Sequence, residues 1–126
     1  MTPGPIRVLL VDDEPDYTEM LSLRLASEGL DVQSVGSGKE CLRLLNERAF
    51  DVIILDLLMP GMSGMETLEA LRDQGHGVAV IIMTGHAPGE TLERCLELGA
   101  DVALLKPADF PDLLQAIKTA ASGEEA

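Results

Sequence analysis

Basic residues are scarce in this chain of 126: nine Lys and Arg stand against 22 Asp and Glu, a formal charge of −13. A surface of that sign repels phosphate backbones and anionic lipid, which counts against direct contact with nucleic acid or a membrane surface. Clustered acids suit metal cations instead. The two cysteines, Cys41 and Cys95, have no metal-ligand spacing and no secretion signal beside them, so both are expected as reduced core residues. No apolar run approaches the roughly 20 residues of a membrane span. The opening Thr2-Pro3-Gly4-Pro5 lacks the basic flank and apolar stretch of a signal peptide. The expectation is a soluble cytoplasmic protein. With 46% hydrophobic and 25% charged residues, the chain can bury one core of ordinary size, as a single domain over 1–126.

Short apolar, β-branched runs recur at Ile6–Val11, Val32–Val35, Val52–Leu55, Val78–Met83 and Val102–Leu105, with amphipathic stretches between them. This is a repeated βα pattern. Runs without polar alternation, such as Val52-Ile53-Ile54-Leu55, suit strands covered on both faces by helices, as in a parallel sheet. Five strands and five helices fit the length. Apolar stripes at helical spacing (Met20, Leu21 and Leu25; Cys41, Leu44 and Leu45; Leu68 and Leu71; Leu92, Cys95 and Leu96; Leu113, Leu114 and Ile117) are assigned to core packing. Gly29 and Gly99 are placed to close helices in the left-handed conformation. Asp109, followed by Asp112, marks a helix N-cap with Pro111 in the first turn. Gly36-Ser37-Gly38-Lys39 lacks the first glycine and the Ser or Thr of a phosphate loop, so it is a turn opening a helix. Residues 1–5 and 122–126 are expected to fray, leaving an ordered core of about 5–121.

In a parallel α/β sheet, ligands sit beyond the carboxyl ends of the strands. The polar residues that follow the apolar runs therefore mark the candidate site: Asp12, Asp13 and Glu14, then Asp56, Thr84 and Lys106. Singly, each has a plainer explanation as a turn acid, a strand-end hydroxyl or a solvated lysine. Their joint placement at one edge outweighs it. Bare carboxylates gathered there repel one another and raise their own pKa values unless a cation sits among them. Oxygen donors without clustered His or Cys favour a hard ion, and a site that keeps waters and awaits a phosphate suits Mg2+ better than Ca2+. A dication and Lys106 would balance Asp12, Asp13 and Asp56, leaving a near-neutral pocket open to a phosphoryl anion.

Val11-Asp12-Asp13-Glu14, Asp56-Leu57-Leu58-Met59-Pro60-Gly61-Met62-Ser63-Gly64, Met83-Thr84-Gly85 and Lys106-Pro107 resemble, in this order, the receiver domain of bacterial two-component response regulators. The resemblance covers nearly the whole chain. It implies a flavodoxin-like α/β fold, a five-stranded parallel sheet of order 2-1-3-4-5 with five helices on both faces. It implies that Asp56 accepts a phosphoryl group from the phosphohistidine of a histidine kinase or histidine phosphotransfer protein. Asp12, Asp13, Asp56 and the backbone carbonyl of Leu58 would hold Mg2+, with Mn2+ as a substitute. Thr84, Gly85 and Lys106 would bind and sense the phosphoryl group, while Pro107, after a cis peptide, and Gly64 would be structural. Leu58, expected to exclude water, and His86 are candidate modulators of dephosphorylation; for His86 a solvated loop histidine is an equal alternative. The implied class is a signalling domain with self-phosphorylation and self-dephosphorylation chemistry only. Its output would be a downstream domain or protein, with a phosphorylation-dependent homodimer as one form.

The chain departs from the receiver pattern in its aromatics. The position three residues before the lysine, an aromatic in many receivers, is Ala103, and Ala108 replaces a frequent aromatic after Pro107; only Tyr17, Phe50 and Phe110 are aromatic. The usual coupling of hydroxyl to aromatic is therefore expected not to operate. Nor does one hydroxyl suffice as a switch: a hydrogen bond to a charged group contributes about 1.5–3 kcal/mol, against about 5.5 needed to swing a two-state equilibrium from 1:99 to 99:1. Output is expected through shifts around residues 85–98, or through the phosphate itself. A phosphatase of the haloacid dehalogenase type would need a second Asp where Leu58 stands. A receiver fold used only for docking would usually have lost part of its acid set.

Overall fold

The structure, a computed structural model, describes residues 4–85 and 89–123. Strands β1 (Arg7–Val11), β2 (Asp31–Val35), β3 (Val52–Asp56), β4 (Ala79–Thr84) and β5 (Val102–Leu105) alternate with helices α1 (Pro15–Ser27), α2 (Gly38–Glu47), α3 (Gly64–Asp73), α4 (Gly89–Glu97) and α5 (Phe110–Ser122). The strands form one parallel sheet in the order β2-β1-β3-β4-β5, as expected. β3 is its centre, paired with β1 and β4 and buried at every residue.

The two-residue period of the strands divides the core into two layers. Leu9, Val11, Ile53, Leu55, Val80 and Ile82 meet Cys41 and Leu44 of α2, Leu68 and Leu71 of α3, and Cys95 of α4. Val8, Leu10, Val52, Ile54, Ile81 and Met83 meet Leu21 and Leu25 of α1 and Leu113 and Ile117 of α5 on the other face. Each fully buried aliphatic side chain contributes about 1.5–3 kcal/mol. Both cysteines are buried free thiols, and burial pushes Cys41 up to about 12, which leaves it chemically inert near neutrality.

Local chemistry sets the boundaries. Gly29 and Gly99, each at φ 88°, turn the chain after α1 and α4 in a region costly for any side chain. Ser37 accepts the Glu40 N–H at 3.2 Å, so the Gly36–Lys39 segment does open a helix. Ser63 and Glu66 form a reciprocal capping box at α3. Asp56 and Thr84 are the last residues of β3 and β4, at the strand ends expected of them. Two other expectations need correction. Met20 and Leu96 are 45% and 50% exposed, because each lies one residue outside the arc its helix turns to the sheet. Asp109 is the N-cap of α5 with Pro111 in the first turn, as expected, although its side chain makes no capping hydrogen bond. At the other end, α5 persists through Ser122 and is closed by Gly123 at φ 77°, where fraying was expected.

Candidate functional site

The register of the sheet brings the polar residues to one edge. Asp12 follows β1; Asp56 ends β3, Thr84 ends β4 and Lys106 follows β5. The Lys106 N–H donates to the Thr84 carbonyl at 2.9 Å, continuing the β4–β5 ladder one step past the strand and aligning the lysine beside Thr84. Gly64 starts α3 directly against β3: its N–H donates to the Leu57 carbonyl at 3.0 Å, and a Cβ there would lie 2.2 Å from the Asp56 carbonyl oxygen. Only glycine permits that approach. The Lys106–Pro107 peptide is cis, as the resemblance implied.

Carboxylate oxygens of Asp12, Asp13 and Asp56 all lie within 4.8 Å of one another. Asp12 and Asp56 are buried, at 3% and 5% exposure, while Asp13 is the more accessible. One oxygen of each buried acid is fixed by backbone: Asp12 Oδ1 accepts the Glu14 N–H at 2.9 Å and Asp56 Oδ1 the Leu58 N–H at 3.2 Å. The second oxygens face Lys106, whose Nζ stands 2.8 Å from Asp12 Oδ2, 3.4 Å from Asp56 Oδ2 and 2.5 Å from Glu14 Oε1. The 2.8 Å approach is an ion pair rather than a directed hydrogen bond, and Asp12 Oδ2 has no well-formed hydrogen bond among the described residues. Burial pushes the Asp56 carboxyl above its ordinary range and the Asp12 charge adds to this, against the Leu58 N–H and Lys106. Burial alone would lower Lys106, but its close contacts with the Asp12 and Glu14 carboxylates and the nearby Asp56 charge drive it up, so it stays an ammonium.

Three carboxylates, those of Asp12, Glu14 and Asp56, therefore share one ammonium, with Asp13 close beside them. Hard oxygen donors and their mutual closeness together fit a hard divalent ion. A cavity of about 440 Å³ opens at Asp56, lined also by Glu14, Tyr17, Leu58, Gly85, Lys106 and Pro107. The arrangement offers an oxygen nucleophile, an ammonium and room for an anion.

Asp12, Asp13, Asp56 and Lys106 thus converge as expected, Thr84 is buried at the adjoining strand end, and Gly85, Leu58 and Pro107 line the cavity. His86 lies outside the described residues. Sequence reasoning gave no role to Glu14 and overlooked Tyr17. The signal was there: residues 14 and 17, three apart across the start of a helix, face the same side.

Comparisons with known proteins agree on what the chain resembles. The family model for the response regulator receiver domain matches residues 8–118. A transcriptional regulatory protein CpxR homolog of Haemophilus influenzae is 42% identical over 114 residues, covering 89% of this chain and 48% of the relative. The transcriptional regulatory protein GlrR of Escherichia coli is 39% identical over 120 residues, 95% of this chain and 27% of the relative. The chain spans about half of the first relative and about a quarter of the second. Among solved structures, a response regulator receiver protein from Pseudomonas putida superposes with a TM-score of 0.89 at 28% identity, covering 94% of this chain and 99% of that one. No helix among the described residues is long and apolar enough to cross a membrane.

Proposed function

The chain belongs to the response regulator receiver domain family, and from that premise we propose that it works by capturing a phosphoryl group on Asp56. The observation that carries this reading is the meeting of Asp12, Asp13 and Asp56 within 4.8 Å with Lys106 shared between Asp12 and Asp56. A carboxylate oxygen of Asp56 forms a bond to phosphorus while the bond from phosphorus to the donor's imidazole nitrogen breaks, that nitrogen leaving with the electron pair. Phosphoryl transfer asks for in-line positioning and charge neutralisation more than for covalent chemistry by the protein. The Leu58 N–H fixes the carboxylate, Lys106 neutralises the phosphoryl oxygens, and Thr84 with the Gly85 backbone supplies further donors. Magnesium, held by Asp12, Asp13, Asp56 and the Leu58 carbonyl, supplies additional charge neutralisation when bound.

The donor is the phosphohistidine of a sensor kinase or phosphotransfer protein, and the phosphorylated face acts on an output domain or protein. The named relatives are transcriptional regulators, so gene control through such an output is the favoured setting. The site turns over no external substrate apart from its own phosphorylation and dephosphorylation. Incubation with acetyl phosphate and magnesium followed by intact mass measurement tests the proposal. One phosphoryl adduct is expected on the parent and none on Asp56→Asn; steady hydrolysis of phosphate esters without an adduct would instead favour a phosphatase.

A further inference from the structure

Tyr17, on the first turn of α1, lines the same cavity as Asp56 and Lys106. Lys106 Nζ stands 4.7 Å from the centroid of its ring. Its hydroxyl donates to Met83 Sδ at 3.7 Å, one residue before Thr84, and its ring packs in the same core layer as Ala108. One side chain thus touches the ammonium and the end of β4.

The lysine needs such a support. Asp12 and Asp56 draw it inward, but Glu14, with its side chain 62% exposed, is its closest partner and draws it toward the pocket mouth. A four-carbon stem is flexible enough to follow either pull. An aromatic face attracts an ammonium most strongly where water is excluded, and the Lys106 side chain is only 10% exposed. The small residues on and after β5 do not offer such a wall. Ala103 packs in the layer of α2, α3 and α4, whereas Tyr17 and Ala108 share the layer of α1 and α5.

We infer that Tyr17 is a positioning residue for phosphoryl transfer: its ring holds the Lys106 ammonium beside Asp56 against the outward pull of Glu14, so that α1 supplies the aromatic wall that β5 and the following turn lack. The inference rests on the reading of Asp56 as acceptor. Its test follows phosphoryl uptake from acetyl phosphate by intact mass, over a range of donor concentrations, in the full chain with magnesium. Tyr17→Met keeps apolar volume and removes the ring, whereas Tyr17→Phe keeps the ring. The maximal uptake rate is expected to fall about tenfold in Tyr17→Met and to stay within about twofold of the parent in Tyr17→Phe, with thermal unfolding confirming that both fold. In a Lys106→Met background, Tyr17→Met should cost nothing further, because the cation it positions is gone. Parental uptake in Tyr17→Met, or the same loss repeated without the lysine, overturns the inference and leaves Asp56 as acceptor. A parent chain that takes up no phosphoryl group overturns the acceptor reading and the inference with it.

Discussion

Charged residues flank both edges of the sheet, but the two edges treat them differently. At the edge where the strands begin, several charges are used on backbone: Asp51 accepts the Arg7 N–H at 2.8 Å and Asp101 the Val80 N–H at 3.0 Å. Arg72 donates to four carbonyls, those of Leu98 and His76 at 2.7 Å, Val78 at 3.0 Å and Gly99 at 3.1 Å, stapling the end of α3 to the turns leading into β4 and β5. At the edge where the strands end, Asp12 and Asp56 each give one oxygen to a backbone N–H and turn the other on a shared ammonium. A charge near a strand end is therefore not in itself a site. The site is where acids outnumber the groups able to satisfy them, so that stability is lost in exchange for a place where a cation or a phosphoryl group is welcome.

The contrast can be broken by substitution. Arg72→Met should have the largest effect on the fold, a loss of about 2–4 kcal/mol, because several carbonyls lose a charged donor at once and partial exposure returns some of them to water. Urea unfolding measures it, and phosphoryl uptake at 25 °C should be unchanged; reduced uptake with stability retained would end the separation of the two edges. Gly64→Ala tests the point where fold and site meet. Its Cβ would lie 2.2 Å from the Asp56 carbonyl oxygen, so it should cost about 1–3 kcal/mol and also slow uptake by displacing the acceptor. Asp56→Asn should give the smallest shift in stability and the opposite sign. Burial raises the Asp56 carboxyl above its ordinary 3.8, so the group favours the fold fully below that value, and this contribution is lost as pH rises through its folded-state value. The neutral amide avoids that loss. In EDTA at pH 7 its thermal midpoint should exceed the parent's, and the gap should close as pH falls below 3.8.

Much of the architecture was legible because parallel strands buried on both faces leave unbroken apolar runs, of which Val52–Leu55 is the clearest. Strand order was not contained in those runs; it came from the resemblance. Asp12, Asp56, Thr84 and Lys106 could be found because strand ends share one edge whatever lies between them. Met20 and Leu96 were misassigned because a stripe written in sequence does not say where its arc stops. The Arg72 staple was invisible because two of its partners are carbonyls 26 and 27 residues away, and carbonyls carry no sequence signal. Tyr17 escaped notice for a related reason. On an amphipathic helix an aromatic is taken for core until a cation is seen resting on it.

That placement has a practical consequence. The chain has one tyrosine and no tryptophan, so its near-ultraviolet emission arises from a ring 4.7 Å from Lys106 Nζ. The unlabelled protein carries its one tyrosine fluorophore in the wall of the cavity beside Asp56, and a cuvette titration with metal or donor is observed from there.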